Sequence, residues 1–131
     1  MNKTLKVYQV NNIYSRIKNV IENKDIDIKA KFKFKLLRLY SEVQSIVKDF
    51  EITKDGLINK YGTDVLDSEG NVTQKRVSPD DKTWTDFVKE INTVAESDVD
   101  IDITPITVDE LFEMELDTDA LADLVPIVVE E

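Results

Sequence analysis

The sequence predicts a mainly helical α+β chain: an antiparallel helical hairpin with one long helix (about 29–60), a third helix (about 79–96) and a small β element. Three patterns carry that expectation. Phe32, Leu36, Leu39, Val43, Ile46 and Phe50 step by 4, 3, 4, 3 and 4, with Leu57 at the next heptad position; a seam of that length needs a long helix with a partner. Val10, Ile13, Ile17 and Val20 step by 3, 4 and 3, and so do Trp84, Phe87, Ile91 and Val94, which gives two shorter amphipathic helices. From Asp98 to Thr104 aspartates alternate with Val99, Ile101 and Ile103, the period of a half-buried strand.

Taken in order, Leu5, Val7 and Val10 begin either a short strand or the lead-in to the first helix, which Asn23 and Lys24 close. From Asp25 to Leu36 apolar and charged residues alternate, a strand signal that overlaps the heptad seam. Giving Asp25–Ile28 to an extended segment and the rest to the long helix resolves the overlap. That helix spans about 48 Å at 1.5 Å per residue. Gly56 lies within it at a cost of about 1 kcal/mol relative to Ala, which leaves a kink or break near Thr53–Gly56 open; Gly62 ends it. A hairpin follows over 64–77, turning at Asp67-Ser68-Glu69-Gly70-Asn71. Ser78-Pro79-Asp80-Asp81 reads as the start of the third helix, with Ser78 as its cap. The small sheet is expected to combine residues 25–28, 64–77 and 99–104. Thr107-Val108-Asp109-Glu110 is a capping box opening a short helix, and Asp117 or Thr118 opens another. Ile127, Val128 and Val129 form an apolar end that should dock. The chain reads as a single domain, 1–131, with an acidic segment, 97–131, docked on the helical body.

Composition narrows the chemistry. With 131 residues, no cysteine and no histidine, the chain lacks a thiol nucleophile, the commonest general base and the commonest transition-metal ligand. Its three glycines leave no glycine-rich phosphate loop. No catalytic, cofactor-binding or metal-binding residue can be named, and a non-enzymatic protein is expected. The N-terminus has no apolar run of a signal peptide and no stretch suits a membrane span, so a soluble chain with no membrane partner is expected.

Charge is distributed unevenly. Residues 1–60 carry thirteen Lys and Arg against seven acids, whereas after Lys89 there are fourteen acids and no base, within a net charge of −10. Such asymmetry concerns partners and self-docking. Lys29, Lys31, Lys33, Lys35 and Arg38 form the one basic cluster, with Phe32 and Phe34 between them. A phosphate-tracking surface is one reading, but the phenylalanines are assigned to the seam and the net charge repels polyanions, so nucleic acid is disfavoured. Docking of the acidic segment is another, with Asp98, Asp100 and Asp102 facing those lysines. As calcium ligands the same aspartates would need a loop that their strand spacing does not supply; Asp64, Asp67 and Glu69 are a better-shaped cluster, but turns collect Asp for backbone reasons. The candidate interaction surface is therefore Lys29, Lys31, Lys33, Lys35 and Arg38 together with Asp98, Asp100, Asp102, Asp109, Glu110 and Glu113.

The series Lys60-Tyr61-Gly62, Asp67…Gly70-Asn71, the Trp84–Val94 helix, Val99-Asp100-Ile101-Asp102-Ile103, Thr107-Val108-Asp109-Glu110-Leu111 and Ala122-Asp123-Leu124-Val125-Pro126-Ile127 resembles a family of small uncharacterised proteins encoded by tailed bacteriophages and prophages. The resemblance covers roughly residues 10–130. It implies a viral origin, a helical hairpin with a small sheet element, and a location in the host cytoplasm or the virion; it transfers no catalytic residue. The expected function is that of a bacteriophage accessory protein, in or outside the virion, working through protein–protein contacts with a phage or host protein. Self-association through the long helix is open, because its seam outruns what the first helix can cover. The rival expectation is a host-takeover or anti-defence inhibitor whose acidic surface occupies a basic site on a host protein.

Overall fold

The computed structural model describes residues 1–129. In chain order the elements are β1 (Asn2–Lys6), α1 (Val7–Glu22), α2 (Ala30–Tyr61), β2 (Thr63–Leu66), β3 (Val72–Arg76), α3 (Trp84–Ala95), β4 (Asp98–Asp102), β5 (Ile106–Thr107), α4 (Val108–Glu113), α5 (Thr118–Leu124), a 3-10 turn at Val125–Ile127, and β6 (Val128–Val129). The fold is mainly α with short paired strands. It divides into two compact units, Met1–Val47 with the chain from Asp98 onward, and Lys48–Ser97.

In the first unit α1 and the first half of α2 form the expected antiparallel hairpin. Val10, Ile13 and Ile17 of α1 are fully buried, as are Leu36, Leu39 and Val43 of α2. Each such side chain contributes roughly 1.5–3 kcal/mol by leaving water. Tyr14 and Tyr40 stack at the edge of this core with ring centroids 4.5 Å apart and hydroxyls 2.8 Å apart.

The strand beside the hairpin differs from the expectation. β4 pairs antiparallel with β1, with Asn2 opposite Asp102, Thr4 opposite Asp100 and Lys6 opposite Asp98. Residues 25–28 form no strand; Ile26 and Ile28 are half-buried and pack against the core from the α1–α2 connection. The alternation there arises because two isoleucines of a short crossing loop point inward. β1 offers what that loop cannot, a five-residue strand whose Leu5 is buried opposite Val99, in one core cluster with Ile101, while its polar face meets the aspartates.

Beyond β4 the chain closes over the same core. β5 pairs in parallel with β6, setting Ile106 opposite Val128, and Leu124 and Ile127 are fully buried. Thr107 and Glu110 make the expected capping box, and Asp117 caps α5 by accepting from the Ala120 N–H at 2.8 Å. Arg16 on α1 holds α5 through Asp123 at 2.8 Å.

The second unit comprises the last part of α2, the β2–β3 hairpin and α3. α2 runs unbroken past Gly56 to Tyr61, so no break occurs there. Gly62 then stops it, its N–H donating to the Ile58 carbonyl at 2.6 Å. The hairpin turn forms as expected: the Asp67 carboxylate accepts from the Glu69 and Asn71 N–H groups at 2.8 and 2.9 Å, and Gly70 takes φ 83°. The Asn71 and Glu69 bonds hold the Asp67 carboxyl below its usual range.

α3 begins at Trp84, not near residue 79. Ser78-Pro79-Asp80-Asp81 forms a separate turn, closed by the Asp81 N–H on the Ser78 carbonyl at 2.9 Å and by the Ser78 N–H on the Asp81 carboxylate at 2.7 Å. Serine followed by proline opens a β-turn as readily as a helix, and here the Asp81 carboxylate decides for the turn.

Candidate protein-binding surfaces

Most of the sequence-derived candidate residues fall in two places in the first unit, and Lys29, Lys33 and Asp109 lie outside both. Asp98, Asp100 and Asp102 line the outer face of β4 and do not meet the lysines of α2. Asp98 pairs with Lys6 at 2.7 Å, Asp100 accepts from the Thr4 hydroxyl, and Asp102 pairs with the Met1 ammonium at 2.9 Å. The register with β1 puts these partners opposite every second residue, which the α2 lysines, rising along a helix, could not do.

The second place is a hollow of about 270 Å³ beside the start of α2, lined by Lys31, Phe34, Lys35, Arg38, Glu110 and Glu113 among others. Lys35 reaches both Glu110 oxygens at 2.7 Å. Lys31 lies over the Phe32 ring, 4.8 Å from its centroid. Lys29 precedes the helix, its carbonyl accepting the Phe32 and Lys33 N–H groups at 3.0 Å. Lys33 lies by the α1–α2 connection, beside Ile26 and Asp27. Asp109 is exposed in the first turn of α4.

Phe34 is not part of the seam. It is 65% exposed whereas Phe32 is 2% exposed. Two residues separated by two positions lie about 200° apart around a helix, so only one of them can face the core. Phe34, Leu37 at 45% exposed and Arg38 form an exposed apolar–basic face at i, i+3 and i+4. Among the described residues Arg38 has no ion pair.

Glu110 sits at the junction of several of these contacts. Burial alone acts most strongly on it and raises its pKa, but the bonds from Lys35 and from Thr107, with the Lys35 charge, together outweigh burial and leave the carboxyl below its usual 4.5. A carboxyl depressed in the folded state contributes stability above its unfolded pKa, and that contribution fades as pH falls through the folded value. Glu110→Gln is therefore expected to cost about 1–3 kcal/mol near neutrality. The variant should also lose less stability than the parent on acidification below about pH 4.5, as denaturant titrations at several pH values would show.

The second unit offers a different surface. None of residues 48–97, all of them described, is buried. Phe50 and Leu57 of the seam and Trp84, Phe87, Ile91 and Val94 of α3 are all half-buried, and Ile52, Leu66 and Val72 are 58–60% exposed. Between the end of α2 and α3 lies a groove of about 460 Å³, floored by Leu57, Tyr61 and Val94 and edged by Asp86, Lys89 and Glu90. Glu90 reaches Lys60 at only 3.5 Å, and its second oxygen is shielded from water without a hydrogen-bond partner.

No sequence pattern points to Glu90 or to Glu42, which accepts from the Thr104 N–H and hydroxyl at 2.9 and 3.1 Å; an isolated glutamate on a helix looks like any solvated position. No group of three or more carboxylates among the described residues is arranged to hold a metal ion. No described helix is long and apolar enough to cross a membrane. No protein family, curated protein or solved structure matches the chain.

Proposed function

We propose that the protein is a non-enzymatic bacteriophage accessory protein that acts by binding another protein through residues 48–97. The observation that carries this reading is the fate of the α2 seam. It is buried from Phe32 to Val43, and then continues through Phe50 and Leu57 into a unit in which no apolar side chain is buried, each being half-covered or exposed. A segment of about 50 residues without a closed core gains little from burial on its own and gains most when a partner completes it. The resemblance of the Lys60–Ile127 motif series to small phage-encoded proteins supports the viral setting, in the host cytoplasm or the particle. The rival reading, an acidic inhibitor occupying a basic site, draws less support, since Asp98, Asp100 and Asp102 are engaged by β1 and the N-terminus.

Capture from infected cells with the tagged chain, alongside mass spectrometry of purified particles, tests the reading. A partner retained by the parent and lost by Phe50→Asp supports it. Equal capture by both chains speaks against residues 48–97 as the binding surface.

A further inference from the structure

We infer that the groove between the end of α2 and α3 takes the Phe34–Leu37–Arg38 face of a second copy of this chain. The inference rests on the contact reading above and names its partner.

The groove is apolar along Leu57, Tyr61 and Val94 and carries two carboxylates, Asp86 and Glu90, against one ammonium, Lys89, at its edge. Glu90 is poorly served where it stands: the Lys60 ammonium is 3.5 Å away, longer than a charge-assisted hydrogen bond, and both side chains of that pair are about half exposed. Asp86 has no hydrogen bond or ion pair among the described residues. The face opposite in character is on the same chain. Phe34 projects at 65% exposure beside Leu37, and Arg38 stands next to them without a carboxylate partner. An aromatic and an aliphatic side chain fill an apolar groove, while a guanidinium serves a carboxylate that a lysine reaches only at long range. Because one polypeptide carries both halves, every copy has a complement in every other copy. Such reciprocal pairing is the ordinary basis of homo-oligomers.

The test is sedimentation equilibrium of the full chain from low-micromolar to near-millimolar concentration, in low and high salt. The expected mass rises from 15.0 kDa to at least twice that, with weaker association in high salt. Arg38→Glu and Glu90→Arg are each expected to weaken association about tenfold or more. Placed together in one chain, they should restore it, because the reversed charges again face each other. Circular dichroism of each variant checks that it is folded; Arg38 is exposed, and Glu90, though half-buried, gives up only a 3.5 Å contact to Lys60, so folding should persist.

A mass of 15.0 kDa throughout overturns the inference, and so does a double variant no tighter than the singles. The two readings can fail separately. A chain that stays monomeric yet captures a different protein in a Phe50-dependent way leaves the contact reading standing and removes the second copy. A Phe50→Asp chain that cannot fold removes the contact reading itself.

Discussion

Leu39→Ala is expected to destabilise the first unit by about 2–5 kcal/mol. Leu39 is fully buried, in the same core cluster as Ile13 and Ile17 of α1 and Leu36 and Val43 of α2. The vacated volume is bounded by two helices that are held in place elsewhere. The Tyr14–Tyr40 stack fixes one side of the hairpin, and the Glu42 bonds to Thr104 tie α2 to the segment after β4. With those restraints the site can collapse only in part, so the cavity cost adds to the lost transfer energy. Urea denaturation followed by far-ultraviolet circular dichroism would measure the loss. A change under 1 kcal/mol would mean that the helices close freely over the gap.

Gly62→Ala is expected to cost about 1–3 kcal/mol in the second unit. The added methyl would land on the Ile58 carbonyl oxygen and lie 3.2 and 3.3 Å from the backbone N and O of Arg76. All three are backbone atoms, so no side chain can swing aside. Either the last turn of α2 opens, losing the 2.6 Å bond from Gly62 to Ile58, or β3 moves away from the helix end. Gly56 offers the internal comparison, since nothing lies within 4 Å of a Cβ built there. Hydrogen exchange should show faster exchange across β2 and β3 in Gly62→Ala, with α1 unchanged.

Much of this fold is legible in the sequence because periodicity is strong where a face is buried. The seam from Phe32 onward places α2 within a residue at each end, and the Val10–Val20 stripe locates α1, which starts three residues earlier, at Val7. Thr107-x-x-Glu110 and Asp67…Gly70-Asn71 specify local hydrogen bonds that form as written. What is not legible is strand pairing. β1 lies in a stretch that alternates no more clearly than Asp25–Ile28, and only the burial of Leu5 opposite Val99 separates the two. Ser78-Pro79 likewise suits a turn and a helix start equally, and the choice depends on the Asp81 carboxylate.

The surfaces are less legible than the fold. Lys31, Lys35, Arg38, Glu110 and Glu113 do come together beside α2. Asp98, Asp100 and Asp102 do not join them, because opposite charge alone cannot say which cation a strand will meet. Phe34 belongs to the surface for a reason of helix angle, which an alternating Lys-Phe-Lys-Phe-Lys run hides. The half-covered state of Trp84, Phe87, Ile91 and Val94 is hidden too, since an amphipathic stripe looks the same whether its own chain or another one covers it.

The most direct measurement compares thermal unfolding and partner capture for Phe50→Asp and the parent chain. A seam that finishes on another molecule predicts a folded Phe50→Asp chain, about 1–2 kcal/mol less stable than the parent at most, that no longer retains its partner. A Phe50→Asp chain that unfolds as completely as one altered in the core would show that residues 48–97 are closed by their own fold.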